Sequence, residues 1–375
     1  MASDKYPLLI HVVPRLTPVR CGISDHVLGL AGKLKAAFGI DSAFAVLNSQ
    51  ERCEVGYPAV YRPAEELLQA CESLAKGRPA ALLFHVSGYG YSRDGAPTQL
   101  AGAAGRLKNG GRYPIAAYFH ELYAIAAPWR SAFWHARRQR QAVSRIAAAC
   151  ELIVTNTSRH AEWLERHAAS GAGRVRVLSV FSQAGEMLEP IPASARQPVM
   201  AVFGLGPTRQ RAYRQLGALG STLRDLGVEE FWDIGAEFDA PREIHNIPVR
   251  RLGVLESAEI ANRLARVRFG FIWYPPSSLG KSGVFAAYCA NGVIPVIARS
   301  FAAEREGLKD GTSVLSPGTA KAARASGLDP CSLAAWRWYS GHRLQTHAET
   351  YRQWLSRKSS EVETRACVMA ADGEA

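Results

Sequence analysis

The stretch Trp273–Ala298, WYPPSSLGKSGVFAAYCANGVIPVIA, decides the fold. It reads as a strand end, a loop opening on Gly280, a helix, a glycine-containing turn and a second buried strand. Strand, helix and strand in that order form the repeating unit of a parallel sheet. The stretch contains no Asp or Glu, yet Lys281 and Ser282 stand at the start of the predicted helix between Gly280 and Gly283. A helix N-terminus offers free N–H groups and the positive end of a dipole. Lysine adds a point charge, serine a hydroxyl, and glycine lets a ligand approach closely. The composition is that of a phosphate cradle, without the spacing of the nucleotide-triphosphate loop. Lys281, Ser282 and Gly283 are therefore candidate diphosphate contacts.

Upstream, the same alternation runs through the chain. PLLIHVV (7–13), DSAFAVLN (41–48), PAALLFHVS (79–87), YPIAAYFHELY (113–123) and CELIVTNT (150–157) are strand-like. Helical stretches such as 24–38, 63–76 and 132–149 separate them, the first with Ser24 as an available N-cap. A break rich in proline and alanine, QAGEMLEPIPASARQP (183–198), precedes a second series that starts at VMAVFGLG (199–206). Apolar strands separated by helices predict parallel sheets covered on both faces. The expected fold class is α/β, two Rossmann-like domains facing a cleft. The expected bounds are 1–185 for the first domain, 186–198 for a linker and 199–332 for the second domain. The tail 333–375, with three tryptophans between 333 and 358, is expected as a helix crossing back to the first domain.

At 375 residues the chain is too long for one ordinary core. No apolar run reaches the ~18 residues that span a bilayer. The N-terminus also lacks a basic start followed by a long apolar segment, so a cytoplasmic location is expected. Seven scattered cysteines without a Cys-x-x-Cys pair argue against a zinc site and against a disulfide framework. A formal net charge of +12 favours anionic partners. The arginines are spread over many helices without a recognised nucleic-acid module, so no nucleic-acid partner is expected. No G-x-G-x-x-G follows a strand with an acidic residue about twenty positions on, which excludes a nicotinamide dehydrogenase.

Ligands of open parallel sheets bind in the loops after the carboxyl ends of strands. In PRLTPVRCGISDH (14–26), Gly22 permits close approach, and Asp25 and His26 begin the helix. Asp25 is equally well placed as an acidic residue in a first helical turn. FHVSGYGYSRDGAP (84–97) offers Tyr89 and Tyr91 among glycines, suited to a sugar ring or to a plain turn. AAYFHELY (116–123) ends an apolar strand in His120 and Glu121. A histidine there can donate to a hydroxyl or phosphate, or shuttle a proton, and Glu121 can orient it. FGLGPTRQR (203–211) brings Arg209 and Arg211 to a strand-to-helix turn, where guanidinium groups suit a diphosphate.

These segments together resemble the two-Rossmann-domain (GT-B) glycosyltransferases, in particular the large retaining class that includes bacterial family 4, or group 1, enzymes. The resemblance covers about residues 7 to 300: CGISDHVLGLAGKL for the N-terminal loop and helix, FHVSGYGYSRDGAP and FHELYAIAAPWRSAFWHARRQRQ for one bacterial branch, VFGLGPTRQR and the opening stretch for the donor side. It implies transfer of a sugar from a nucleotide diphosphate donor with retention, without cofactor or catalytic metal, in bacterial glycan synthesis. It further implies a saccharide or lipid-linked acceptor. His120 would lie near the reacting sugar with Glu121; Gly22, Asp25, His26 and Tyr91 would line the acceptor side. Arg209, Arg211, Lys281, Ser282 and Gly283 would hold the donor diphosphate. The family's two glutamates eight positions apart fall here on Leu279 and Ala287, and its Arg and Lys on Leu205 and Gln210. Their loss motivates an alternative: a catalytically silent relative that binds a nucleotide sugar or a partner protein. The segment Trp129–Arg145, with five arginines beside Phe133 and Trp134, offers peripheral contact with the inner membrane face or a plain solvated helix face.

Overall fold

A computed structural model describes residues 6–16, 22–49, 52–167 and 175–372, with side chains through 358. The described residues divide into two compact units, one of those up to 178 together with those from 344 on, and one of 179–343.

In the first unit, seven strands among the described residues form one parallel sheet: β1 Leu8–Val13, β2 Ser42–Val46, β3 Ala59–Tyr61, β4 Ala80–Val86, β5 Ile115–Phe119, β6 Leu152–Thr155 and β7 Val175–Val177. Their order is β3-β2-β1-β4-β5-β6-β7. Helices α1 Gly22–Phe38, α2 Leu67–Ala75, α3 Gly88–Tyr91, α4 Thr98–Gly110, α5 Ser131–Ala149 and α6 Ser158–His167 connect them. Every residue of β1, β2, β4, β5 and β6 is buried, as the apolar runs require of a sheet covered on both faces.

The second unit carries β8 Gln197–Phe203, β9 Glu230–Ile234, β10 Glu243–Ile244, β11 Ile247–Gly253, β12 Val267–Ile272 and β13 Ile294–Ile297. Their order is β10-β11-β9-β8-β12-β13, parallel except for the β10–β11 pair. Helices α7 Gly206–Leu216, α8 Gly220–Leu226, α9 Ser257–Leu264, α10 Gly283–Ala290, α11 Ala320–Ser326 and α12 Asp329–Ser340 cover it.

The chain leaves the first unit at Leu178, before the proline-rich break. That break packs on the second unit: Met187 N donates to Ala290 O, Trp336 Nε1 to Met187 O, and Arg196 Nη1 to Asn291 O. Residues 333–343 stay with the second unit too, where the Tyr339 hydroxyl donates to Glu186 and accepts from Ser182 N. The return falls at α13, Leu344–Asp372, which packs on α1. There Arg352 lies over the Phe38 ring and Lys358 pairs with Glu151.

Candidate functional site

Both sheets have a point where the chain's winding reverses: between β1 and β4 in the first unit, and between β8 and β12 in the second. Ligands of open α/β sheets bind outside the carboxyl ends of strands at such points.

In the first unit, sheet register assembles a line of histidines. His11 on β1 pairs with Leu83, and His85 on β4 pairs with Tyr118 on β5. His85 is thus two residues beyond the partner of His11, and His120 two beyond the partner of His85. Side chains two apart share a sheet face, so all three rings fall on one face along a diagonal. His11 Nδ1 lies 3.1 Å from His85 Nε2, and His85 Nδ1 lies 3.4 Å from His120 Nε2. At the inner end His11 Nε2 reaches the Ser42 hydroxyl at 3.2 Å. His26 enters from the first turn of α1 and sets its ring edge-on to His120, with centroids 5.0 Å apart. His347 of α13 closes the group against His26, and Tyr118 lies beneath it.

Burial drives His11 down to about 3. It also holds His26 and His85 well below the ordinary histidine range, helped by the neighbouring rings. These three rings are neutral at pH 7. His120 is only half-buried, and Glu121 is exposed. Asn156 Nδ2 donates to the His120 carbonyl at 2.9 Å and fixes the strand end.

The glycine-aromatic loop is a support for this rim. The Tyr91 hydroxyl lies 3.1 Å from both the Val12 and His85 carbonyls, bridging β1 and β4, so its polar atom is committed to the sheet. A Cβ on Gly88 would collide with the Gly95 carbonyl oxygen, so glycine is what lets the loop fold on itself. Gln139 of α5, fully buried, accepts from Ala124 N at 2.7 Å and donates to Asp94 O at 2.7 Å. It ties the loops after β4 and β5 together. Gly22 and Asp25 lie in the first turn of α1, at the exposed and half-buried levels.

In the second unit, Gly204 follows β8 with φ +126°, and a Cβ there would press on Val284 in the first turn of α10. The loops after β8 and β12 therefore meet. Arg211, exposed, lies over the Trp273 ring at 4.7 Å, just past β12. Ser282 caps α10 by accepting from Phe285 N, with half-buried Lys281 and Gly283 on either side and open space at the Gly283 Cβ. Arg211, Lys281, Ser282 and Gly283 thus line the same strand ends.

Arg209 is placed otherwise. Its guanidinium is fully buried, donating to Gly204 O at 2.9 Å, to Ala236 O and to the carboxylate of Asp233 on β9. The Tyr213 hydroxyl adds a 2.7 Å bond to the same carboxylate. With three nitrogens committed to protein oxygens, Arg209 holds the turn and does not reach a ligand. Leu279 and Ala287 are each 1% exposed and sit in the apolar core beneath the turn.

Sequence reasoning missed His11, His85, His347, Gln139, Asn156, Asp233 and Trp273. A signal existed for two of them: a histidine interrupts the otherwise apolar runs PLLIHVV and PAALLFHVS.

No protein-family model matches the sequence. No curated protein matches it either. Solved structures do. The lipopolysaccharide outer core galactosyltransferase WaaB superposes with a TM-score of 0.59 at 10% identity, over 94% of this chain and 99% of that one. The α,α-trehalose 6-phosphate synthase of Burkholderia multivorans gives 0.57 at 13% identity, over 95% and 100%. An α-glucosyltransferase in complex with UDP and a 13-mer DNA gives 0.55 at 11% identity, over 94% and 99%. The chain has the GT-B glycosyltransferase fold. The two-domain α/β expectation holds.

Proposed function

We propose that the protein is a glycosyltransferase that moves a sugar from a nucleotide diphosphate donor, with retention, to a saccharide or lipid-linked acceptor in bacterial glycan synthesis. One observation carries the reading: Arg211 over Trp273, Lys281 and the capped N-terminus of α10 all stand on the loops at the β8/β12 reversal. Departure of a nucleoside diphosphate develops negative charge on phosphate oxygens. Fixed positive groups and helix N–H donors stabilise that charge without reorganising. Solved neighbours of the same fold hold UDP or UDP-2-fluoro glucose. In this proposal Arg211 and Lys281 bind the diphosphate, Ser282 keeps the cradle in shape, and Arg209 supports the turn from behind. His120 and Glu121 serve the reacting sugar and half-buried Asp25 the acceptor side, while Tyr91 and His26, whose polar atoms are buried, support the rim from behind.

Calorimetry with UDP, ADP, GDP and their sugars tests this. Lys281→Ala and Arg211→Ala should each weaken binding about ten- to a hundredfold, the scale of one charge-assisted hydrogen bond. Unchanged affinity in both variants would remove the diphosphate from this turn. Anomeric configuration of a transfer product by NMR decides retention. One neighbour was solved with DNA, so the acceptor screen includes a DNA arm beside saccharides and lipid-linked sugars.

The silent-relative reading is favoured by one observation, the burial of Leu279 and Ala287 where the related enzymes place carboxylates. It predicts nucleotide binding without transfer or donor hydrolysis.

The proposal extends to a peripheral membrane contact through Trp129–Arg145, the turn before α5 and its first part. Trp129, Trp134 and Phe133 are 84%, 71% and 42% exposed, beside exposed Arg130 and Arg137. Aromatic rings with flanking cations suit the interface of an anionic bilayer. The protein should co-sediment with vesicles of about one-third anionic lipid and be released by salt. Trp129→Ala with Trp134→Ala should reduce the bound fraction several-fold. Equal sedimentation with neutral vesicles would reject the contact. Among the described residues no helix is long and apolar enough to cross a membrane.

A further inference from the structure

We propose that His26, His85 and His120 form a three-imidazole binding site for a zinc-class divalent cation. The three rings come from three separate elements, α1, β4 and the end of β5, and one ring nitrogen of each lies within 4.8 Å of the other two. Three imidazoles with an open fourth position are a known zinc donor set, with Zn–N near 2.1 Å and hence nitrogen–nitrogen edges of about 3.4 Å. The His85 Nδ1–His120 Nε2 edge already measures 3.4 Å. Closing the remaining edges takes ring movements of about 1 Å, within reach of rotation about the terminal side-chain torsion.

The surroundings are built as ligand supports are built. A metal-binding histidine uses one nitrogen on the ion and is aimed by a hydrogen bond at the other. His85 has that bond: Nε2 meets His11 Nδ1 at 3.1 Å, and His11 Nε2 meets Ser42 Oγ at 3.2 Å. With protons on both Nε2 atoms, His85 donates to His11, His11 donates to Ser42, and the His85 Nδ1 lone pair faces His26 and His120. The His120 main chain is held by Asn156 Nδ2 and by its own N–H on Val86 O. His26 and His85 are 2% and 0% exposed, whereas His120 is half-buried, so the open fourth position faces outward past His120. Water or an anionic ligand would fill it. Imidazole donors select zinc, copper, nickel and cobalt over magnesium and calcium. The inference does not depend on the transferase activity.

The test is a titration of Co2+ and Zn2+ into the full chain after chelator treatment, followed by cobalt d–d absorption and calorimetry. One equivalent of Co2+ should give visible bands that Zn2+ abolishes, while Mg2+ produces nothing. His26→Gln and His120→Gln should each weaken binding at least about a hundredfold. Ser42→Ala, which acts through His11, should weaken it about tenfold. His245→Gln, in a remote turn, should leave it unchanged. Circular dichroism identifies variants that have lost the fold; His120→Gln, at the half-buried ring, is the substitution that decides if His26→Gln does not fold. Absence of cobalt bands in folded wild type, or affinity unchanged in folded His120→Gln, would overturn the site.

Discussion

Arg209→Ala should lower the stability of the second unit by about 3–5 kcal/mol, the cost of leaving one partner of a buried ion pair uncompensated. Arg209 and Asp233 have side chains 0% and 4% exposed. Burial pushes the Asp233 carboxyl up, against the pull of the Tyr213 hydroxyl and the guanidinium. Removing the guanidinium also orphans the Gly204 and Ala236 carbonyls and strips a cation from above the Phe238 ring. Asp233→Asn should cost less, because an amide keeps one acceptor for Arg209. Arg209→Met with Asp233→Leu should recover much of the loss, since apolar replacement of both partners removes the uncompensated charge. Urea melts followed by tryptophan fluorescence, with Trp232 beside Asp233 as reporter, measure all three. A cost below about 1 kcal/mol for Arg209→Ala would mean that the pair is solvated and that Arg209 is free to meet a ligand after all.

That test bears on the donor site indirectly. Gly235 stands at φ +149°, and a Cβ there would strike the Gly204 carbonyl and the Arg209 side chain. Gly204, Gly235 and Arg209 form one packed corner behind the turn that carries Arg211. Loss of nucleotide affinity in Arg209→Ala would follow from loosening this corner, and should scale with lost stability. Loss in Arg211→Ala should come with none. The two arginines, two positions apart in the sequence, are thereby separable by experiment.

Much of the architecture is legible in the sequence because buried parallel strands announce themselves as apolar runs of four to seven residues between turns. The cap at Ser282 is legible as well, because serine before the first residue of an apolar helical run marks a helix start. Arg209 is not. Its partner Asp233 lies twenty-four residues on, across the β8–β9 pairing, and a helix-opening arginine looks alike whether it faces solvent or a buried carboxylate. The histidine diagonal is hidden differently. His11, His85 and His120 are visible one at a time, but only the register of β1, β4 and β5 shows that each step of two residues keeps them on one face.

That diagonal yields the second large effect, a steep loss of stability in acid. His11, His26 and His85 are held neutral by burial, His11 down to about 3. In the unfolded chain each titrates near 6.5. Folded-state values below the unfolded value mean that the unfolded chain binds more protons once pH drops below about 6.5. Unfolding free energy therefore falls with falling pH in that range and is fully present above it. For His11 the window runs from about 6.5 down to about 3. Each ring contributes about 1.4 kcal/mol per pH unit, so the three together approach about 4 kcal/mol per unit. Chelator-treated protein should melt reversibly at pH 7.5 and be largely unfolded in its first unit by about pH 5. The slope of unfolding free energy between pH 6.5 and 5.5 should correspond to two or three protons taken up. His11→Gln removes one titrating ring while keeping polar atoms within reach of Ser42 and His85, and should reduce the slope by one proton. An uptake below one proton in the wild type would show that the rings are solvated when the chain is folded. The neutral cluster would then have to be abandoned.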